Sequence, residues 1–237
     1  LNRSWRNTNS PDIRHRLNMA RPLTQHIHPE GTTRTLREYV TTGGYRSLQW
    51  LSSGLAPKDL QRLVTDAGLR GRGGGGFLTG TKWSFVPMGA DAPKPKYIVA
   101  NGDEMEPGTF KDRVLMEGDP HGLVEGMILA GYAIDAAVGY IFLRGEYHLS
   151  AQRLTEAIAE AYAAGYLGKP LPGTGFRFDL HLHASAGRYI CGEETALINA
   201  LEGKRAVPRA KPPFPQTVGL WGKPTVVQNV ETLYNIP

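Results

Sequence analysis

The amino-acid sequence predicts an α/β domain built around a mainly parallel sheet. Short apolar segments typical of strands alternate along the chain with longer segments of helical periodicity. An acidic loop directly follows one of these strands, as ligand-binding loops do in open parallel sheets. The length of 237 residues suits one large domain, and 41% hydrophobic with 21% charged residues is ordinary for a globular protein.

Composition excludes several classes of protein. The chain has one cysteine, Cys191, which excludes a disulfide framework, a Cys₄ zinc site and an iron–sulfur cluster held by this chain alone. The formal charge of +5 is compatible with anionic ligands such as nucleotides and does not predict nucleic-acid binding. No apolar run reaches the ~18 residues that a membrane-spanning helix needs.

The first twenty residues differ from the rest of the chain. Their four arginines are accompanied by one acidic residue, Asp12, and no periodic apolar face is present. We expect residues 1–20 to form a loose N-terminal arm and residues 21–237 to form the α/β domain. A transit peptide is the weaker alternative, because Pro11 and the missing amphipathic pattern argue against it.

The first predicted elements combine helical spacing with a buried strand. Apolar residues recur at helical spacing over 60–67, and Gly68 stands where a helix ends. Residues 97–100 are a short apolar strand. Asp119 followed by Pro120 predicts the start of a buried helix that continues to about Ala136.

The second half of the chain repeats the alternation of strand and helix. Residues 138–143 predict a strand, and Ser150 is expected to cap a helix that ends before Gly165. Apolar and polar residues then alternate over 176–183, which is typical of a half-exposed strand. A further helix is predicted over 193–201, followed by a proline-rich, basic loop over 204–223.

The glycine run at 71–76 is the strongest functional signal. Five glycines around Arg72 leave bare backbone amides that a phosphate or a flat ring can approach closely. The run formally spells G-x-G-x-x-G, but it follows a helix and not the strand that a dinucleotide fingerprint requires. It is not a Walker A loop either, because Thr81 separates Gly80 from Lys82. We interpret it as a ligand loop, with a flexible surface loop as the alternative.

The acidic loop after the first strand contains Asp103, Glu104 and Glu106. Carboxylates repel phosphate, so we expect these side chains to accept hydrogen bonds from ribose or ribityl hydroxyls. Cation binding and a solvated turn are the two alternatives.

Two further motifs carry polar side chains. Glu193 and Glu194 open a helix, where the helix dipole favours carboxylates in any case, but glycines and Tyr189 surround them. His181 and His183 have the spacing of zinc ligands, yet no third ligand is near in sequence, so an exposed strand face is the preferred interpretation.

Together these motifs resemble the flavin-bearing, NADH-oxidising subunit of respiratory complex I. The similarity covers about residues 22–237 and rests on GRGG with FLTGTKW, NGDEMEPGT, FLRGEY, GRYICGEETAL and KPPFP, in the family's order. Diaphorase subunits of NAD-linked hydrogenases and formate dehydrogenases share these motifs. The resemblance implies a Rossmann-like nucleotide-binding domain in which FMN and NADH share one cleft.

The resemblance also implies which residues bind each cofactor. Those expected at FMN are Gly71, Arg72, Gly73, Gly74, Lys82, Asn101, Asp103, Glu104, Tyr189, Gly192, Glu193, Glu194, Asn229 and Thr232. Those expected at NADH are Gly74, Gly76, Phe77, Phe85, Glu106, Glu194, Lys211 and Phe214. No metal is expected in this chain. The carboxylates would disfavour a 2′-phosphate, so NADH is expected over NADPH.

Three departures from the family pattern bear on these expectations. Gly75 stands where the family usually has Ala, and Gln228 replaces the first of two adjacent asparagines, which puts one phosphate contact in doubt. The family continues into a β-grasp-like domain and a helical domain with a 4Fe–4S cluster. We therefore expect this chain to be an N-terminal fragment that lacks both.

The expected function is FMN-dependent oxidation of NADH, with electrons passed singly to iron–sulfur subunits and on to quinone. The resemblance places such a subunit in the bacterial cytoplasm, peripheral on the inner face of the membrane through its complex. The alternatives are a soluble diaphorase, a structural or assembly module without flavin, and a metal-dependent hydrolase that uses His181, His183 and the acidic loop.

Overall fold

A four-stranded sheet forms the centre of the domain in the computed structural model, which describes residues 21–237. The predicted arm, 1–20, lies outside the described residues. The strands are β1 (Tyr97–Gly102), β2 (Val138–Leu143), β3 (Asp179–Ala184) and β4 (Thr225–Asn229), in the spatial order β3-β2-β1-β4. All three strand pairings in this sheet are parallel, which confirms the predicted fold class.

Helices connect the strands and cover the sheet. They are α1 (Leu36–Thr41), α2 (Ser47–Ser52), α3 (Pro57–Asp66), α4 (Thr79–Ser84), α5 (Lys111–Gly118), α6 (Pro120–Ile134), α7 (His148–Ala163), α8 (Glu194–Leu201) and α9 (Val230–Tyr234). Short 3₁₀ turns lie at Tyr189–Gly192 and Leu220–Gly222. None of the helices in the described part of the chain is long and apolar enough to cross a membrane.

Alternate residues of β1, β2 and β4 contribute to two separate apolar layers. Ile98 and Ile141 face the larger layer, which contains α6, while Val99 and Val227 face the smaller layer, which contains α8. Every residue of α6 is buried. This helix therefore acts as the central column of the larger layer, and glycine lets its neighbour α9 approach it. A Cβ on Gly126 would lie 2.2 Å from the carbonyl oxygen of Leu233.

A buried carboxylate on α6 fixes the first two helices. Glu125 accepts hydrogen bonds from the Tyr39 hydroxyl at 2.5 Å, the Tyr45 amide at 2.7 Å and the Ser47 hydroxyl. Burial of these groups would be costly without their partners, and here they satisfy one another. Glu125 therefore anchors the segment that holds α1 and α2 to the core.

The structure corrects several predicted boundaries. Helix α7 begins at His148, so Ser150 is not its cap but lies inside the helix and donates to Glu117 at 3.1 Å. Asp119 does occupy the position before α6, but its side chain pairs with Arg34 and does not cap the helix. Helix α6 ends at Ile134 because Asp135 is left-handed. Strand β3 begins at Asp179, three residues later than predicted.

The direction in which the chain adds strands to the sheet reverses beside β1, and we call this point the sheet reversal. From β1 the chain proceeds outward to β2 and β3, and it then returns to place β4 on the other side of β1. In open α/β sheets this reversal leaves a crevice at the carboxyl ends of the two strands on either side of it, here β1 and β4. The register pairs Asn101 of β1 with Asn229 of β4 at this crevice.

Candidate functional site

A cleft of about 560 Å³ lies where the sheet reverses. Four segments and the end of β4 form its wall, and they come from distant parts of the sequence. The lining residues are Arg72, Gly73, Gly74, Asn101, Asp103, Glu104, Met105, Glu106, Thr109, Lys111, Asp112, Tyr189, Ile190, Gly192, Glu193 and Asn229. The glycine run, the acidic loop and the turn before α8 therefore share one cavity.

The glycine run lies over the end of β4. The amide of Gly71 donates to the carbonyl of Phe77 at 2.8 Å and closes the base of the loop. The Arg72 amide donates to the Thr232 hydroxyl at 2.8 Å. A Cβ on Gly73 would lie 3.2 Å from Cβ of Asn229, and Gly74 has φ +107°. Gly73 is thus required by the close approach of Asn229, and Gly74 by its positive φ.

Glu104 is used by the protein's own backbone. Its carboxylate accepts from the amides of Asp112 at 3.0 Å and Arg113 at 3.1 Å, at the start of α5. The Tyr147 hydroxyl donates to it at 3.2 Å, and Arg144 donates to the Glu104 carbonyl at 3.1 Å. Glu104 therefore fixes the acidic loop to α5, and its carboxylate has little capacity left for a ligand.

Asp103 is the acidic residue with capacity to spare. It is 6% exposed, and its Oδ1 accepts a long hydrogen bond of 3.4 Å from Ser185. Its Oδ2 is buried and has no hydrogen-bond partner among the described residues. Burial raises the pKa of Asp103 to about 6. A ligand hydroxyl that donates to Oδ2 would supply the missing partner.

A chain of ion pairs runs behind the cleft. Lys82 of α4 donates to Glu194 at 2.9 Å and to the Val227 carbonyl at 2.8 Å. Lys211 bridges Glu194 at 2.8 Å and Glu193 at 3.1 Å. Burial raises the pKa of Glu194, but the two lysines outweigh it and hold that pKa below its usual value. Glu193 also caps α8 through the amides of Thr195 and Ala196, and so both acidic residues are engaged.

Lys111 and Asp112 line the cleft but were not predicted. Lys111 donates to Asp112 at 2.7 Å and to Asn229 at 3.1 Å, and it pairs with Glu231 at 2.9 Å. Asn229 in turn donates to Asp112 at 2.7 Å. Burial lowers the pKa of Lys111, but the paired carboxylates outweigh it and raise that pKa overall. This network sets the orientation of the Asn229 amide at the base of the glycine run.

The turn before α8 closes the remaining side. Its Tyr189 is 65% exposed and donates to Glu106 at 2.7 Å. Asn101 donates to the carbonyl of Gly192 at 3.0 Å. Cys191 lies between Tyr189 and Gly192 in sequence, and its thiol is buried and free. The turn is therefore joined to the acidic loop both at the strand end and at the outer edge of the cleft.

Some predicted residues lie outside the wall. Thr232 and Lys211 each bond a lining residue, Thr232 the amide of Arg72 and Lys211 the carboxylate of Glu193. Gly71 and Glu194 are the chain neighbours of the lining residues Arg72 and Glu193, and Lys82 is joined to the cleft through Glu194. The predicted dinucleotide-binding residues Gly76, Phe77, Phe85 and Phe214 also lie outside the wall. Phe77 and Phe85 are each 53% exposed with ring centroids 6.3 Å apart, and Phe214 is 54% exposed.

The two histidines of β3 pack on aromatic rings. His181 lies against Tyr140 at 5.4 Å, and His183 stacks on Phe142 at 5.2 Å between centroids. Across residues 21–237 no group of three or more His, Cys, Asp or Glu side chains has the geometry to hold a metal ion.

Comparison with known proteins gives consistent results. Residues 64–237 match the family described as the Nuo51 FMN-binding domain. The chain is 56% identical over 216 residues to a subunit of the NADH-quinone oxidoreductase of Escherichia coli (strain K12), covering 91% of this chain and 48% of that protein. The corresponding protein of Mycobacterium tuberculosis (strain CDC 1551 / Oshkosh) is 53% identical over 207 residues, covering 86% and 46%. The chain thus spans about half the length of these relatives.

A solved structure extends the similarity to three dimensions. An NAD⁺-reducing [NiFe]-hydrogenase in the H₂-reduced state matches with a TM-score of 0.72 and 42% identity, over 87% of this chain and 34% of that chain.

Proposed function

The chain belongs to the Nuo51 FMN-binding domain family, and we propose that its cleft holds FMN for reduction by NADH at the entry of a larger electron-transfer protein. One observation carries this proposal. A glycine loop and an acidic loop meet at the sheet reversal, with the buried Oδ2 of Asp103 left without a donor. A ligand with both an anionic group and several hydroxyls matches that combination.

The residues present fit FMN. The cleft volume of about 560 Å³ lies within the usual range of cofactor pockets, roughly 300–1,000 Å³. Asp103 Oδ2 suits a ribityl hydroxyl as its donor. Gly73 and Gly74 let a phosphate or ring approach backbone amides, and Arg72, next to them in the wall, supplies positive charge.

When bound, FMN supplies a centre that accepts two electrons together and releases them one at a time. The reaction needs no general acid or base from the protein. The chain's own residues are required to position the reactants. Lys82, held by Glu194 and the Val227 carbonyl, contributes positive potential behind the wall. Asn101 and Gly192 keep the turn and strand end together, so the cleft retains its shape.

The dinucleotide is assigned to the outer part of the cleft. Phe77 and Phe85 offer exposed aromatic faces, and Phe214 offers a third on the basic loop. Glu106 supplies a carboxylate that suits ribose hydroxyls, and the surrounding acidic residues disfavour a 2′-phosphate. Gly74, Gly76, Glu194 and Lys211 complete this assignment, and NADH is the expected substrate over NADPH.

The relatives suggest the setting of the reaction. Those named as subunits of NADH-quinone oxidoreductase support a role in a multi-subunit dehydrogenase, where iron–sulfur subunits would take the electrons on to quinone. In that setting the protein would lie in the bacterial cytoplasm, on the inner face of the membrane. The match to an NAD⁺-reducing hydrogenase favours a diaphorase as the second candidate. In the relatives, a 4Fe–4S cluster is expected in the half that this chain does not cover.

A test of the proposal starts from the purified protein. We expect flavin absorbance near ~450 nm, release of FMN and not of FAD or riboflavin on denaturation, and anaerobic bleaching by NADH in preference to NADPH. A protein that binds no flavin after incubation with FMN would favour a structural module and overturn the proposal. Flavin that bleaches equally with both dinucleotides would overturn only the substrate preference.

A further inference from the structure

Two hydrogen bonds join the turn Tyr189–Gly192 to the chain that leaves β1. The inner bond runs from Asn101, in the strand itself, to the carbonyl of Gly192 at 3.0 Å. The outer bond runs from the Tyr189 hydroxyl to Glu106 at 2.7 Å. Cys191, between the two, is 3% exposed and packs in the smaller apolar layer. The inner end of the turn is therefore fixed, while its outer end depends on the Tyr189–Glu106 bond.

The outer bond joins two walls of the cleft. Tyr189 and Glu106 are 83 residues apart in sequence, and both line the cavity. The Tyr189 side chain is 65% exposed, so no packing holds its ring in place comparably to the hydrogen bond. The Tyr189 hydroxyl is a donor at neutral pH, and hydrogen bonding to Glu106 raises its pKa further.

We propose that the Tyr189–Glu106 bond is a latch that the dinucleotide must open, and this inference rests on the proposed function. Ribose hydroxyls would replace the Tyr189 hydroxyl as donors to Glu106, so one hydrogen bond is exchanged for another. A closed latch lowers the apparent affinity by the fraction of molecules in which it is open. For an exposed hydrogen bond of ordinary strength, that factor is about two- to tenfold.

The direction of the effect separates this role from the alternatives. Tyr189→Phe keeps the ring and removes the donor, so the latch can no longer close. Dinucleotide binding should therefore tighten. If the hydroxyl contacts the dinucleotide or the flavin directly, the same substitution should weaken binding of one of them. The two outcomes have opposite signs.

The experiment uses the FMN-loaded protein and anaerobic stopped-flow bleaching of the flavin by NADH. For Tyr189→Phe we expect the NADH concentration at half-maximal rate to fall about two- to tenfold, and the FMN content of the variant is measured in parallel. In a Glu106→Ala background, Tyr189→Phe should have no further effect. Tyr162→Phe is the matched control, because its hydroxyl bonds to Asp179 and Leu180 away from the cleft.

Every other outcome counts against the latch. An unchanged or higher half-maximal concentration in Tyr189→Phe, or loss of FMN from that variant, would assign the hydroxyl a different role. An equal effect of Tyr189→Phe with and without Glu106 would also overturn it. Failure of the unsubstituted protein to be reduced by NADH would instead refute the proposed function, so the two failures are distinguishable.

Discussion

Neutralising Asp103 should stabilise the protein when no flavin is bound. Burial raises the pKa of this carboxyl from 3.8 to about 6, a difference of about two pH units. At 1.36 kcal/mol per unit, the ionised carboxylate costs the fold about 3 kcal/mol. Since residual solvation reduces such costs, we expect Asp103→Asn to raise the free energy of unfolding by about 1–3 kcal/mol at pH 8.

The pH dependence follows from the sign of this shift. Because the folded-state pKa is raised, the folded protein holds the proton more tightly than the unfolded chain. The contribution of Asp103 to stability is therefore fully present below about pH 3.8 and lost as pH rises through about 6. The advantage of Asp103→Asn should accordingly be large at pH 8 and shrink toward zero near pH 4.

Urea unfolding of the flavin-free protein at several pH values measures this effect. Asp66→Asn, on the exposed last turn of α3, controls for the loss of one negative charge. With FMN present the order should invert, since the variant loses the acceptor that suits a ribityl hydroxyl. If Asp103→Asn is less stable than the parent at pH 8 without flavin, the ionised Asp103 carboxylate does not destabilise the flavin-free fold.

Two other substitutions test the supports of the cleft. Glu194→Gln leaves Lys82 and Lys211 without their shared carboxylate, and we expect reduction by NADH to slow about tenfold, equivalent to one charge-assisted hydrogen bond, with FMN content nearly intact. If the rate of reduction in stopped-flow and the FMN content by absorbance fall equally, Glu194 is structural. Glu125→Gln replaces a buried acceptor with a group that carries its own N–H donors, and we expect about 1–3 kcal/mol loss in urea unfolding. If the urea midpoint of Glu125→Gln equals that of the exposed control Glu156→Gln, Glu125 does not anchor α1 and α2.

The parts of the fold that the sequence predicts are those with local signals. Helix α3 has apolar residues at helical spacing and ends before Gly68, which is left-handed as a C-terminal glycine should be. Strand β2 was predicted with its observed bounds because six apolar or small residues stand between turn signals. Strand β4 was missed, since five residues that directly follow a proline-rich loop give too short a pattern to recognise.

The site shows the same limit more sharply. Sequence places Asp103 and Glu104 side by side and treats them alike, yet Glu104 binds the first amides of α5 while Asp103 lines the cleft with a buried Oδ2 that has no partner among the described residues. Only the position of α5 decides between them. Lys111 and Asp112 were missed because their partner Asn229 lies more than a hundred residues further along the chain. No local motif signals such a contact.

The position of β4 also determines when the cleft can form during synthesis. β1 at Tyr97–Gly102 is flanked on one side by β2, which emerges soon after it, and on the other by β4 at Thr225–Asn229. Pairing across such a long interval is slow and late, because the intervening chain must be ordered first. The nascent chain thus carries an exposed edge on β1 until nearly all of the domain has left the ribosome, and this edge is open to aggregation meanwhile. Because Asn229 at the end of β4 lines the cleft, the wall of the cleft is incomplete until this pairing has formed.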